Sequence, residues 1–550
     1  MAAVLTAGVI LRMGNYSQNA SLWLDEASLA LNLATRSFGG LGAPLDYNQA
    51  APVLFLWAER LVLQVGGINE WALRLVPLLA GLAGLFLFVP LALRLLSPSG
   101  ATVAISLAAF SPVLILYSAE LKPYSIDFLL GVVVIILGLQ ILENPSLRRP
   151  WSALLAVGVL GLLASTPAPI VLGGAGIGLA VSTAVRRSPL ARRWLGINGL
   201  IFAALTIFLF LVFYRAADSA YLHTVWRANF LTAAFPNLPE RAWVALREIV
   251  WLSILGERTG WLTSPARELV INVGSLALVG CAVLGVARFW ERRGAATVVL
   301  VLGSTGLTLL ASALERYPIA LRLVLFTVPS LILLLAAGME RLSLSFAPDR
   351  GKLLLGLVAS LLVCRAAAVD LLQMVDSDRA ENGRGVIAAL ERRHRPGEPI
   401  YIYARGLPVW AFYTTDWHSP DRKRLDWFRA RGGLGGPAFE NAPSRGRPVA
   451  PHEGHDLVYE YRGRSELLGL STGVQWLALG GLSREGPDAG WAKRESARIR
   501  EVAHPTAWMF VAHPLDNSHQ QLLAELQSMG GRIVYQHLDR LAGVFQLSFE

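Results

Sequence analysis

The chain has 550 residues, of which 54% are hydrophobic and only 16% charged, and its mean hydropathy is +0.48. A soluble domain carries about 25% charged residues, so this composition excludes an ordinary water-soluble protein and indicates a polytopic membrane protein. Lys and Arg outnumber Asp and Glu by 49 to 39. The basic residues gather in short loops between apolar segments, which is a signature of membrane topology and argues against nucleic-acid binding.

Apolar stretches predict about eleven membrane helices, since a spanning helix needs about 20 residues. They fall at 1–13, 72–94, 101–118, 125–142, 151–166, 168–185, 195–214, 267–288, 295–313, 320–338 and 353–370. No cleavable signal peptide is evident. The first stretch is too short to span. Either the true start lies upstream or this helix enters only partway, and a truncated start is the expectation. With the N-terminus inside, the cytoplasmic loops are 95–100, 143–150, 186–194, 289–294 and 339–352. All but the first carry a basic pair or more: Arg148-Arg149, then Arg186, Arg187, Arg192 and Arg193, then Arg292-Arg293, then Arg341, Arg350 and Lys352. The short outer turn at 166–169 carries none, as the positive-inside rule requires.

Three long regions then lie outside the cytoplasm: a first loop at 14–71, a middle loop at 215–266 and a C-terminal part at 371–550. The expected organisation is a transmembrane domain over 1–370 and an extracytoplasmic domain over 371–550. In the first loop, Leu24, Ala27, Leu31 and Ala34 have helical spacing over 24–37. Pro52 opens a second short apolar helix at 52–65, and both helices are expected along the membrane surface. Gly39-Gly40, Gly42, Pro44 and Asp46-Tyr47-Asn48-Gln49 form the loop between them. The middle loop carries Tyr221, His223, Trp226, Arg227, Trp243, Trp251 and Trp261, residues that suit an interfacial belt.

The C-terminal part alternates a helix at 384–394, a strand at 400–403, a strand at 506–512, a helix at 518–529, Gly530-Gly531, and strands near 532–536 and 542–549. That order predicts a small α/β domain. The Gly-, Pro- and Arg-rich stretch 420–500 gives no ordered pattern. Cys281 and Cys364 both lie in apolar segments without metal-ligand spacing, and a disulfide there is not expected. There is no internal repeat, no P-loop and no dinucleotide fingerprint.

The polar exceptions carry the chemistry. Asp25-Glu26 stand at the foot of the first loop, where carboxylates beside a bilayer mark function more often than structure. They would equally open an interfacial helix, since negative charge favours its N-terminus. Asp46-Tyr47-Asn48-Gln49 follow. Tyr117-Ser118-Ala119-Glu120-Leu121-Lys122-Pro123-Tyr124-Ser125-Ile126-Asp127 join the third and fourth spans. Glu315-Arg316-Tyr317-Pro318 precede Arg322, and Arg74 lies at the outer end of the second span. The topology puts all of these on one side of the membrane. A carboxylate base and fixed cations at one lipid–water boundary suit transfer of a group from a phosphate-bearing lipid to a hydroxyl. Lys122 is one of four lysines, the others being Lys352, Lys423 and Lys493. Its compact charge suits a phosphate oxygen. Lys122 and Arg322 would also serve as interfacial snorkels, and Glu120 and Asp127 as their ion-pair partners.

Several of these stretches resemble the C-type (GT-C) membrane glycosyltransferases, in the branch of the protein mannosyltransferases and aminoarabinose transferases. They are Ser21-Leu22-Trp23-Leu24-Asp25-Glu26-Ala27, the Pro52-led helix, Asn69-Glu70-Trp71-Ala72-Leu73-Arg74-Leu75, the segment 117–125, and Tyr317-Pro318 with Arg322. The resemblance covers about residues 10–340. It implies a bacterial inner-membrane enzyme with its site on the periplasmic face, moving a sugar from a polyprenyl-phosphate donor to an extracytoplasmic acceptor hydroxyl with inversion. It makes Asp25 the general base and Glu26 its orienting partner or an acceptor contact. It places Lys122 near the donor phosphate with Glu120 and Tyr124, Arg74 and Arg322 as second contacts, and Tyr47, Asn48 and Gln49 toward the acceptor, which could be a lipid, a glycan or a protein. Members often carry His-Pro before the second interfacial helix, where this chain has Asn48-Gln49-Ala50-Ala51-Pro52. They usually carry Arg where Lys122 stands. Asp25, Glu26 and Glu120 could hold a divalent metal, but no spacing demands one, and the expectation is no cofactor and no nucleic-acid partner. The competing reading is a transporter or flippase of a lipid-linked saccharide. Such proteins tend to show repeats and midplane polar sites, whereas the polar groups here collect at one face.

Overall fold

The computed structural model describes residues 1–47, 49–215, 226–231, 238–247, 249–250, 264–375, 381–395, 398, 400–415, 417, 460–461, 477–479, 490–503, 505–514 and 517–550. Its helices are α1 (Ala2–Ser17), α2 (Leu24–Thr35), α3 (Val53–Gly66), α4 (Glu70–Leu73), α5 (Leu75–Leu95), α6 (Pro98–Ala109), α7 (Pro112–Tyr117), α8 (Tyr124–Glu143), α9 (Arg148–Ala164), α10 (Ala168–Arg186), α11 (Pro189–Leu209), α12 (Leu238–Arg247), α13 (Ser264–Arg293), α14 (Ala295–Ala313), α15 (Val328–Ser343), α16 (Pro348–Val375), α17 (Gly383–Glu391), α18 (Leu407–Thr414), α19 (Trp491–Val502) and α20 (Ser518–Ser528). The strands are β1 (Ile400–Ile402), β2 (Glu460–Tyr461), β3 (Leu477–Leu479), β4 (Thr506–Ala512), β5 (Arg532–Asp539) and β6 (Ala542–Ser548). They form two compact units. One comprises Met1–Gln18, Ala51–Val62 and Arg74–Ser377, and the other Asn19–Ala50, Leu63–Leu73 and Asp378–Glu550.

In the first unit every expected span falls on helix, and eight helices among the described residues are long and apolar enough to cross a membrane. The expected spans that fall short are α1 and α9, and the third, which is broken. Pro112 cannot continue α6, so the chain stops at Ala109, turns, and restarts as α7, with Ser111 accepting from the Leu114 N–H. The Arg12 guanidinium of α1, buried, donates to the Ala108 and Ala109 carbonyls that α6 leaves open. α15 is buried at every residue from Val328 to Glu340, as expected of a helix apolar on all sides. Its neighbour α13 approaches so closely that a Cβ at Gly338 would lie 1.7 Å from the Cys281 carbonyl oxygen. Small residues at such crossings let backbones meet in lipid.

Ion pairs gather one end of the bundle. Arg94 binds Glu143, Arg288 binds Glu340, and Arg341 binds Glu291 at 2.7 Å. The Ser97 N–H reaches Glu340 at 3.5 Å, and Arg293 donates to the Arg94 carbonyl. Four loops expected on one side of the membrane thus meet at one end.

The second unit is built on a six-stranded sheet in the order β2-β3-β1-β4-β6-β5. β1 runs parallel to β3 and β4, while β4–β6 and β6–β5 are antiparallel. Tyr401, Met509, Val511, Phe545 and Leu547 face one core with Ile499 and Ile533 and with Leu522 and Leu526 of α20. Phe510 faces the other way, its ring 5.2 Å from Trp410 of α18. Helices on both faces explain why β4 reads as a continuous apolar run rather than an alternating one. β5, at the edge, alternates exposed and half-buried residues. The expected helix near 384–394 and the strands at 400–403, 506–512, 532–536 and 542–549 all fall on observed elements. Helices α18 and α19 and strands β2 and β3 were not foreseen. Most of 420–500, and Tyr221, His223, Trp251 and Trp261 of the middle loop, lie outside the described residues.

The first loop is shared between the units. α2 is buried from Glu26 to Ala34 and packs on α18 within the second unit. α3 keeps an exposed apolar side at Trp57, Leu61 and Val65, the pattern of a helix lying on a membrane surface.

Candidate active site

Trp23 caps α2 with extended backbone and no side-chain capping bond to the helix, and Asp25 and Glu26 occupy the first turn. Both carboxylates therefore stand where the helix N-terminus favours negative charge, with Asp25 half-buried and Glu26 buried. The Leu24 N–H donates to Glu381 Oε2 at 2.9 Å, and His513 Nδ1 donates to Glu381 Oε1 at 2.6 Å. Burial pushes the Glu381 carboxyl up, the His513 hydrogen bond pulls it down, and the charge of Asp25 pushes it up again.

One turn earlier in the chain, Tyr413 Oη accepts the Leu22 N–H at 2.6 Å and donates to Glu70 Oε1 at 3.0 Å. Arg384 binds Glu70 at 2.8 Å and the Asn19 carbonyl at 2.7 Å. The segment leading into Asp25 is thus held on both sides by residues from beyond position 380. Of the expected acceptor residues, Tyr47 has a left-handed backbone at φ 61° and Gln49 donates to its carbonyl at 3.3 Å. Asn48 lies outside the described residues. Asp46 is taken up by Arg36 at 2.9 Å and by Asn32, which closes the loop.

The first unit carries the expected phosphate contacts. The Lys122 N–H donates to the Glu120 carbonyl at 2.7 Å, making a tight turn that leaves Lys122 buried and Glu120 half-buried. Tyr124 begins α8 and packs edge-on to Tyr117, centroids 5.1 Å apart. Ser125 donates to the Tyr117 carbonyl and Ser165 to Asp127 at 2.6 Å. Tyr317, half-buried, lies within electrostatic reach of Asp127 and Tyr124. The segment 117–127, Ser165 and Tyr317 therefore form one polar cluster. Arg74, buried at the start of α5, lies within electrostatic reach of Tyr16, as does Glu59. Arg322 stacks over the Trp226 ring at 5.3 Å. Asp25 and Glu26 belong to the second unit, and Lys122, Arg74 and Arg322 to the first.

Sequence reasoning gave no role to Glu381, His513, Tyr413 and Arg384. Glu70 was visible only as part of a family-like stretch. Glu59, in the apolar helix α3, was given no role either, yet its carboxyl is fully buried and neither oxygen has a hydrogen-bond partner among the described residues. Burial pushes it well above the usual carboxylate range.

Residues 50–217 match the family described as dolichyl-phosphate-mannose-protein mannosyltransferase. No curated protein matches the chain. Over 99% of its length, and 97% of the other chain, the structure superposes on ArnT from Cupriavidus metallidurans bound to undecaprenyl phosphate, with a TM-score of 0.53 and 13% identity. The chain has the GT-C glycosyltransferase fold. The apo form of the same ArnT gives a TM-score of 0.50 at 13% identity, again over 99% and 97% of the two chains. The GT-C likeness, of the mannosyltransferase and ArnT kind, thus extends beyond residue 340, where the motif resemblance stopped, and takes in the C-terminal sheet.

Proposed function

We propose that this GT-C protein is an inverting glycosyltransferase that moves a sugar from a polyprenyl-phosphate donor to a hydroxyl outside the cytoplasm of a bacterial inner membrane. The observation that carries the reading is the end-to-end likeness to ArnT, a protein crystallised with undecaprenyl phosphate. Asp25 in the first turn of α2 suits a general base, and the buried Lys122 beside Tyr124 suits a lipid phosphate.

In this reading Asp25 takes the acceptor's proton as its oxygen bonds to the anomeric carbon. The bond from that carbon to the phosphate oxygen breaks on the opposite face, and the electron pair leaves with the lipid phosphate. Lys122, with Arg74 and Arg322 as further cations, offsets the charge that develops there. Glu26 orients the base, Glu120 and Tyr124 support the donor end, and Tyr47, Asn48 and Gln49 are assigned to acceptor recognition. The extracytoplasmic side follows from the basic loops, which the positive-inside rule leaves in the cytoplasm.

The test is transfer from a panel of radiolabelled polyprenyl-phosphate sugars, using purified protein and native membranes as acceptor source. Labelled product that falls by about 10²–10⁴ in Asp25→Asn supports the assignment. Full transfer by Asp25→Asn overturns it. Movement of lipid-linked sugar across vesicles with no product would replace the transferase by a flippase.

A further inference from the structure

The start of α2 is held in an unusual way. A helix leaves its first amides without partners, and a side chain just before it usually supplies an acceptor. Trp23 has none to offer. The acceptor for the Leu24 N–H comes instead from Glu381, 357 residues away in sequence but in the same compact unit. The Glu381 side chain is completely enclosed, and both its oxygens are used, one by Leu24 and one by His513.

His513 is held for this contact. It follows β4 with a left-handed backbone at φ 49°, a region that residues other than Gly rarely adopt. Its own N–H is fixed on the Leu541 carbonyl at 2.9 Å. Its ring lies 6.0 Å from that of Trp23. On the other side, Glu381 bridges to the backbone of Arg540, and Asn382 donates to Asp539 at 2.6 Å. The two residues that precede Asp25 are therefore each gripped by the same pair, Trp23 by the His513 ring and Leu24 by the Glu381 carboxylate. The charge that faces this carboxylate from α2 is that of Asp25.

We propose that Glu381 and His513 are positioning residues for Asp25. They fix the first turn of α2 from the C-terminal sheet and so set where the base meets the acceptor hydroxyl. This rests on the reading of Asp25 as the general base. A misplacement of about 1 Å at a reacting group costs up to about 10²-fold in rate, so the grip should be felt in turnover more than in binding.

The experiment uses the full chain in detergent or nanodiscs, the radiolabelled polyprenyl-phosphate sugar that the unmodified protein turns over, and the variants Glu381→Ala, Glu381→Gln, His513→Phe and Asp25→Asn. Glu381→Ala is expected to lower kcat by about 10- to 100-fold with the donor KM within about 2-fold. Glu381→Gln keeps an oxygen for the Leu24 N–H and recovers most of that loss. His513→Phe keeps a ring against Trp23 but loses the donor, and its kcat falls between the two. Unchanged kcat in Glu381→Ala, or a rise in KM alone, overturns the proposal, and so does a loss in Glu381→Gln as deep as in Glu381→Ala. Should Glu381→Ala fail to fold, His513→Phe and Glu381→Gln decide: unchanged kcat in His513→Phe overturns the proposal. Inactive Asp25→Asn beside fully active Glu381→Ala refutes the positioning role alone, whereas active Asp25→Asn refutes the underlying reading.

Discussion

Glu70 and Arg384 form an ion pair of 2.8 Å between two segments of one compact unit, 314 residues apart in sequence. Tyr413 donates to the same carboxylate oxygen, so a single buried acid on α4 ties together α17, α18 and the chain just before α2.

Removing that acid leaves the Tyr413 hydroxyl and the Arg384 guanidinium short of an acceptor. Glu70→Ala is expected to destabilise the second unit by about 1–3 kcal/mol. Arg384→Ala should cost less, because the Arg384 side chain is 43% exposed and its charge is screened. Thermal unfolding followed by limited proteolysis of the C-terminal part checks both, and equal losses would contradict the assignment of Glu70 as the shared anchor.

Lys122 is expected to act through its charge. Lys122→Ala should reduce transfer by about 10²-fold, the typical loss for one stabilising donor. Lys122→Arg retains the cation, and the family resemblance tolerates Arg here, so it should stay within about 10-fold of the unmodified enzyme. Near-normal transfer by Lys122→Ala would remove it from the donor site.

Glu398 links stability to pH. Burial pushes its carboxyl up, but the Arg395 N–H, Trp508 Nε1 and Thr506 Oγ1 all donate to it, and the net effect holds it below its usual 4.5. A carboxylate lowered in the folded state contributes stability that is present above its unfolded value and lost as pH falls through its folded value. The C-terminal unit should therefore lose stability on acidification below about pH 4, the carboxylate range, and Glu398→Gln should flatten that limb. An acid limb of unchanged depth in Glu398→Gln speaks against the link.

Glu59 predicts the opposite sign. Burial raises its carboxyl, so its contribution is present at low pH and lost as pH rises through its folded value. Glu59→Gln should alter stability at neutral pH by no more than about 1 kcal/mol, because neither carboxyl oxygen of Glu59 makes a hydrogen bond among the described residues. Melting of purified protein across a pH series from acid to alkaline tests this. A large loss at neutral pH in Glu59→Gln would show that the acid is ionised in the folded state.

The sequence foretold those parts of the fold that follow from local pattern. Apolar runs placed every span, because burial in lipid demands a continuous apolar stretch. Pro112 broke the third run, which summed hydropathy does not register. The strands at 400–403 and 506–512 were visible because helices cover both faces of their sheet. Asp25 and Glu26 were legible as acids at a helix start. The residues that hold that start were not, since Glu381 and His513 come from beyond position 380 and carry no spacing that ties them to Leu24. The burial of Glu59 was not legible either, because a charged residue in an apolar helix is normally turned outward, whereas here it is turned in.

Arg12 sets an order of events during synthesis. Two of the carbonyls that receive its guanidinium lie on Ala108 and Ala109, the latter 97 residues downstream. At about 5–20 residues per second, α1 leaves the ribosome roughly 5–20 s before those acceptors exist. A guanidinium in the bilayer is costly until it is paired. α1 is therefore made well before it can reach its final seat, and the nascent chain must keep Arg12 at the headgroups or in the translocon until α6 arrives.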